Sequence, residues 1–300
     1  MLVVVRQSSP AEEEITVNAQ PIPQRVVKTR RIAFSYPSGG LNQHYVQGDL
    51  VMSHAVAVLS AMFPEGEDFF VRAVKHYADR VTDPQLKAQV KGFIGQEITH
   101  GREHRALNDR LRAMGYPTRL VDRFTHWLMI RTDRIVPKRF QLAVTAALEH
   151  YTATVAERLL TSPEAQELLG ENEVRSMLLW HALEESEHKA VAFEVYRHTG
   201  GSERLRIVTM YVVNLLFFPI VVGFTALSLL GDRATYNPVR LIRSLAALRH
   251  SPFLARVVIE HLRAYNHSGF HPDDFDASEL LDRWRTELFG EQGVLADHLK

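Results

Sequence analysis

Cysteine is absent from all 300 residues. Disulfides are therefore excluded, and so are thiolate zinc sites and cysteine-held iron–sulfur clusters. A reducing compartment fits this composition. Net charge is absent too: 35 basic and 35 acidic residues cancel, which gives no electrostatic argument for binding nucleic acid. A secretory leader is not expected, because the first apolar run, Leu2 to Val5 in MLVVVRQSSPAEEEITV, is too short for one. Strand-type alternation is missing after residue 40, so the expected fold class is all-α.

What is present is helical period, and a hydrophobic content of 46% that can fill a sizeable core. Residues 1–40 hold Pro10, Pro21, Pro23 and Pro37 and no helical period. They read as an N-terminal arm, partly disordered. Residues 41–300 read as a single helical domain, with a bundle over 49–200 and further C-terminal helices over 238–300. The period predicts a helix over 49–62 broken at Pro64, a second over 67–81, and a third from Asp83-Pro84 to Met114, with Gly115 at its end. Two more follow over 122–134 and 138–160; Ser162-Pro163-Glu164 looks like a cap with proline at the first helical position. One further helix is expected over 172–198, ended by Gly200-Gly201.

Two of these helices carry the same spacing, Glu-x-x-His. The first is Glu97-Ile98-Thr99-His100 and the second Glu185-Ser186-Glu187-His188. Residues three or four apart share one face of a helix, so each pair can reach one metal ion. A helical carboxylate precedes each: Glu67 in FPEGEDFF and Glu149 in AALEHYTA. The order Glu, Glu-x-x-His, Glu, Glu-x-x-His is similar to the ligand arrangement of ferritin-like di-iron and di-manganese carboxylate bundles. One Glu-x-x-His would favour a solvated charged face; two in this order reverse that. Carboxylate oxygen and imidazole nitrogen suit iron and manganese.

Several assignments have competitors. Glu65 and Asp68 compete with Glu67, which lies near a helix start where acids also complement the macrodipole. Glu157 competes with Glu149, which the preceding Ala146, Ala147 and Leu148 favour as the buried one. Glu184 competes with Glu185, and the repeated spacing favours Glu185. His181 and His104 fall on the same faces as the two motifs, each as a ligand or as a partner orienting one. His54, His76 and His150 read as packed histidines, Tyr77 and Tyr151 as core aromatics, and His271 in GFHPDD as a potential ligand in a turn.

The segments FPEGEDFF, FIGQEITHGREHRALN, LEHYTA, WHALEESEHKAVAFEVY and GFHPDD resemble the bacterial family called predicted metal-dependent hydrolases, over roughly residues 30–290. The pattern His181-x-x-x-Glu185-x-x-His188 also resembles the di-iron arylamine N-oxygenases, which add a histidine to the iron pair. By that likeness, Glu67, Glu97, His100, Glu149, His181, Glu185 and His188 would be seven ligands of two iron ions, with manganese as the alternative. The likeness is confined to the ligand pattern and carries no substrate.

Ile207–Gly231 is 25 residues without a charge, long enough for a membrane helix. It reads either as membrane contact or as a buried helix or helical hairpin broken near Pro219. The basic, apolar stretch that follows can lie on an anionic surface or cover a core. The functional expectation is a non-haem di-iron oxidase or oxygenase acting on a small organic molecule, with O2 and an electron donor as partners. The alternatives are a two-metal hydrolase and a non-catalytic iron-binding or membrane-associated helical protein. The expected location is cytoplasmic, at the inner face of the membrane if 207–231 meets lipid, with a homodimer left open as the assembly.

Overall fold

The computed structural model describes residues 26–300; the part of the expected arm over 1–25 lies outside the described residues. The helices run in order α1 (Leu50–Ala78), α2 (Pro84–Ala113), α3 (Thr118–Ile135), α4 (Lys138–Thr161), α5 (Pro163–Leu169), α6 (Glu173–His188), α7 (Val191–His198), α8 (Glu203–Leu230), α9 (Pro238–Leu248), α10 (Arg256–Ala264) and α11 (Ser278–Phe289). Among the described residues extended pairing is limited to one bridge, Ile32 with Leu299, so the fold is all-α.

The starts follow local chemistry. Asp49, Asp83, Ser162, Asn172 and Ser202 each cap a helix, the side-chain oxygen accepting from a first-turn N–H. Gly115, beyond the end of α2, has φ +99°, a conformation that favours glycine.

Three expectations are corrected. The break at Pro64 does not occur: α1 runs through it. Proline removes the N–H that would bond the carbonyl four residues back, here that of Ser60. That carbonyl accepts from Asn108 Nδ2 at 2.9 Å instead, so a side chain on α2 replaces the missing donor. The helix expected over 172–198 is interrupted at Lys189 and Ala190, where Lys189 Nζ turns to Glu157 Oε1 and the Phe275 carbonyl, both at 2.6 Å. The break considered near Pro219, as one alternative to membrane contact, does not occur: the segment is a single helix, α8. It is not buried core either: only 17% of its most apolar stretch is buried.

Residues 26–34 lie against the bundle, with Ile32 and Phe34 buried. They cross α2 at Gly92 and Gly95, where a Cβ would collide with Val27 and Thr29. Two apolar clusters, one around Trp180 and Leu107 and one around Phe93 and Phe193, form most of the core. Trp180 meets the His100 ring and Phe93 the His188 ring edge-on, with centroids 4.9 and 5.0 Å apart. The polar centre therefore sits between the two clusters.

Candidate metal centre

Four helices bring the seven sequence candidates together: α1 supplies Glu67, α2 Glu97 and His100, α4 Glu149, and α6 His181, Glu185 and His188. None is more than 4% exposed. They form two groups, Glu67, His100, His181 and Glu185, and Glu97, Glu149 and His188, with the facing atoms of each within 4.8 Å of one another. Two carboxylates lie between the groups. Glu97 Oε1 is 3.7 Å from His100 Nδ1 and 3.1 Å from His188 Nε2. Glu185 reaches His181 Nε2 at 2.8 Å with Oε1 and His188 Nε2 at 3.6 Å with Oε2.

Hydrogen-bond partners fix which nitrogen of each histidine faces inward. Gln96 Nε2 donates to Glu187 Oε2 at 2.9 Å and to the Lys28 carbonyl at 3.2 Å. Its Oε1 is thereby turned to His188 Nδ1, 2.9 Å away, which must donate. His100 Nε2 donates to Glu184 Oε2 at 3.1 Å. The third histidine is set by a relay. Ser60 Oγ donates to Asn108 Oδ1 and accepts from His104 Nδ1. His104 Nε2 then accepts from His181 Nδ1 at 2.9 Å. By this accounting, Nε2 of His188, Nδ1 of His100 and Nε2 of His181 are the nitrogens turned toward the carboxylates, His181 Nε2 lying 2.8 Å from Glu185 Oε1.

The competitors stand elsewhere. Glu65 pairs with His126 at 2.8 Å, Asp68 with Arg105 at 2.8 Å and Glu157 with Lys189. Glu184 is buried but serves His100 from behind, and His104 serves His181. His54 binds Ser228 and Asp232, and His150 the His261 carbonyl. His76 is exposed rather than packed, and Tyr77 is core. His271 is held by Glu194 at 2.8 Å and joins neither group, which corrects the turn-ligand expectation.

Charge makes the fit to metal ions specific. Both oxygens of Glu67, Glu97 and Glu149, with Glu185 Oε2, His100 Nδ1 and His188 Nε2, are buried without a hydrogen-bond partner. Burial, reinforced by neighbouring carboxylates, pushes Glu67 and Glu97 well above the usual range. Burial also raises Glu149 to about 7, against the opposing pull of His188. Glu185 goes the other way: burial opposes its charge, but His188 and His181 outweigh it. Burial and His181 depress His100, whereas the carboxylates around His188 overcome its burial and raise it. Orphaned buried charge is costly. Two divalent cations would neutralise the four carboxylates and engage the inward-facing nitrogens once these are deprotonated, so the residues present fit a pair of metal ions.

A buried network supports the centre from outside, and sequence reasoning missed most of it. Arg30 donates to Glu184 at 2.8 Å and, through two nitrogens, to Glu187 at 2.8 Å; Arg285 adds a third bond to Glu187. Glu187 orients Gln96, which orients His188. Arg30 lies in a stretch with no helical period, so nothing local in the sequence marks it.

Beside Glu67 is a cavity of about 310 Å3 between α1, α3, α4 and α8. Its polar side chains are Glu67, Tyr151 and three threonines; the rest of the lining is apolar. Tyr151 belongs to the core, as expected, and also faces this cavity, where it bonds Asn214 of α8.

A family described as predicted metal-dependent hydrolase matches residues 28–276. No curated protein and no solved structure matches the chain.

Proposed function

The chain belongs to the predicted metal-dependent hydrolase family, and we propose that it is a dimetal enzyme acting on a small apolar molecule. Glu67, His100, His181 and Glu185 would hold one ion, Glu149 and His188 the other, with Glu97 joining them and Glu185 shared. The observation that carries this is the set of buried inward-facing oxygens and nitrogens that no hydrogen bond satisfies. Bound there, two metal ions would supply Lewis acidity for hydrolysis or, as iron, electrons for reducing O2.

Hydrolysis stands first, because the family description supports it. In that reading Glu184, Gln96 and His104 keep the three imidazoles aimed inward. Glu67 brings the centre to the cavity wall, and the apolar lining excludes water elsewhere. Oxidation with O2 and an electron donor, on a ferritin-like iron pair, is the second reading. Two observations favour it: a donor set of carboxylates and imidazoles, and a cavity with few groups able to clamp a polar leaving group.

One experiment tests both. Metal analysis of purified protein should find about two ions per chain, as dimetal carboxylate bundles hold, and His188→Ala should lose them. Zinc- or manganese-loaded protein should then cleave an alkyl-chain ester without O2 if hydrolysis is right. O2 uptake confined to iron-loaded protein, with no anaerobic cleavage, would replace it with oxidation. Wild-type protein that retains no metal rejects both.

A further inference from the structure

We infer that the outward face of α8, with that of α9, docks on an anionic lipid bilayer, and that the cavity beside Glu67 takes an amphiphile with an apolar chain from it. The substrate half rests on the dimetal reading; the docking half does not.

Val208, Tyr211, Leu215, Phe218 and Val222 recur at three- and four-residue spacing along α8 and are 47% to 72% exposed. No charge interrupts residues 207–231. Soluble proteins rarely present so continuous an apolar stripe without a partner for it. Val239, Ile242 and Leu245 of α9, the next α-helix in the chain, recur at three-residue spacing and are also exposed. The inner face of α8 is committed to the protein: Arg206 bonds the Tyr265 carbonyl, Asn214 binds Tyr151 and Ser228 binds His54. The helix is long enough to cross a bilayer, but crossing would break these bonds. Lying in the headgroup boundary keeps them and buries only the outer face.

Charge selects the occupant. Residues 204–259 hold seven arginines and one acid, Asp232, in a chain of zero net charge. Asp232 is engaged by His44 and His54; of the flanking acids, Glu203 pairs with buried Arg206 and Glu260 with Arg256, while Arg204, Arg233, Arg243 and Arg249 are exposed. Such an excess attracts anionic headgroups and repels a second copy of the same face. The cavity is continuous with this surface: Leu216 lines it and is 55% exposed, with Phe217 and Ile220 farther along the wall and Glu67 within. An apolar chain leaving the bilayer at Leu216 would meet a wall that is apolar but for Glu67, three threonines and the Tyr151 hydroxyl, which Asn214 engages.

The test is co-sedimentation of full-length protein with phosphatidylcholine vesicles, with and without phosphatidylglycerol, at low and high salt. Binding should be about tenfold or more tighter to the anionic vesicles and fall with salt. Leu215→Glu with Phe218→Glu should abolish it while helical content and metal content stay at wild-type values. Arg243→Glu with Arg249→Glu should remove only the anionic preference. A pyrene-labelled fatty acid should bind wild type, and Val144→Trp, which fills the cavity, should raise its Kd about tenfold or more. Wild type that ignores vesicles overturns docking, the more so if light scattering shows a dimer that Leu215→Glu dissolves. A fatty acid that does not bind, or binds equally with Val144→Trp, overturns the substrate class. Vesicle binding by protein that holds no metal rejects the dimetal reading and leaves docking standing.

Discussion

His100 Nε2 and Glu184 Oε2 lie 3.1 Å apart, and the other oxygen of that carboxylate accepts from Arg30 at 2.8 Å. Glu184 therefore faces away from the cluster that its neighbour Glu185 enters. Burial raises its carboxyl to about 7 even with Arg30 opposing, so Arg30 is what keeps a proton acceptor behind His100. Adjacent residues on one helix have opposite duties because a helix turns about 100° per residue.

Glu184→Ala is therefore expected to weaken metal binding rather than remove a ligand. Loss of a partner that orients a metal-bound histidine typically costs about 10–100-fold in affinity. Manganese titration against a chelator measures this, with circular dichroism to confirm the fold. Glu185→Ala should instead lose the metal pair. Equal behaviour of the two variants would contradict the division of roles.

Much of this candidate centre was legible in the sequence because its inward-facing residues repeat. Glu97 and His100, and Glu185 and His188, carry their geometry within one helical turn, and Glu67 and Glu149 follow from helix order. What supports them was not legible. Arg30 reaches Glu187 across 157 residues, and no local period encodes such a contact. The continuity of α1 was misread for a related reason: Pro64 signals a break locally, and the compensating donor, Asn108, sits on another helix. The fate of Ile207–Gly231 was equally open, since an apolar helix has the same sequence whether its outer face meets protein or lipid.

Metal affinity should rise with pH through neutrality. Burial holds Glu149 near 7 and Glu67 and Glu97 well above the usual range, so metal-free protein carries protons on these carboxyls that metal binding must displace. Affinity gains about tenfold per pH unit for each proton released. Titrations near pH 6 and pH 8 should show tighter binding at the higher value, with proton release visible in buffers of different ionisation enthalpy. Affinity that does not change with pH would reject protonated carboxyls in the empty site.

His150 should make the fold acid-sensitive. Burial lowers it from 6.5 to about 4, although its bond to the His261 carbonyl opposes the shift. The folded pKa is depressed below the unfolded one, so the unfolded state binds more protons between those values. Stability is full above pH 6.5 and lost as pH falls to about 4, by about 3 kcal/mol in all. His150→Gln keeps a donor for the carbonyl without the titration. Urea unfolding across this window should show a shallower decline for the variant; parallel curves would mean that His150 contributes nothing.

Asn108 serves two ends of the centre, and a double-mutant cycle separates them. Its Nδ2 satisfies the Ser60 carbonyl orphaned by Pro64, and its Oδ1 accepts from the Ser60 hydroxyl, which in turn orients His104 and through it His181. Asn108→Ala leaves the carbonyl buried without a donor, at a cost of about 1–3 kcal/mol. Pro64→Ala restores a helical N–H to that carbonyl, so Asn108→Ala should cost less stability in its presence, with a coupling of about 0.5–3 kcal/mol. Metal affinity should behave differently. The Ser60 hydroxyl remains unanchored in the double variant, so the orientation of His181 stays loose and the affinity lost in Asn108→Ala should not return. Urea unfolding of the four metal-free proteins reads the first effect and manganese titration the second. Additive stabilities would reject the repair of α1 by Asn108. Affinity recovered by Pro64→Ala would mean that the backbone of α1, and not the hydroxyl relay, aims His181 at the centre.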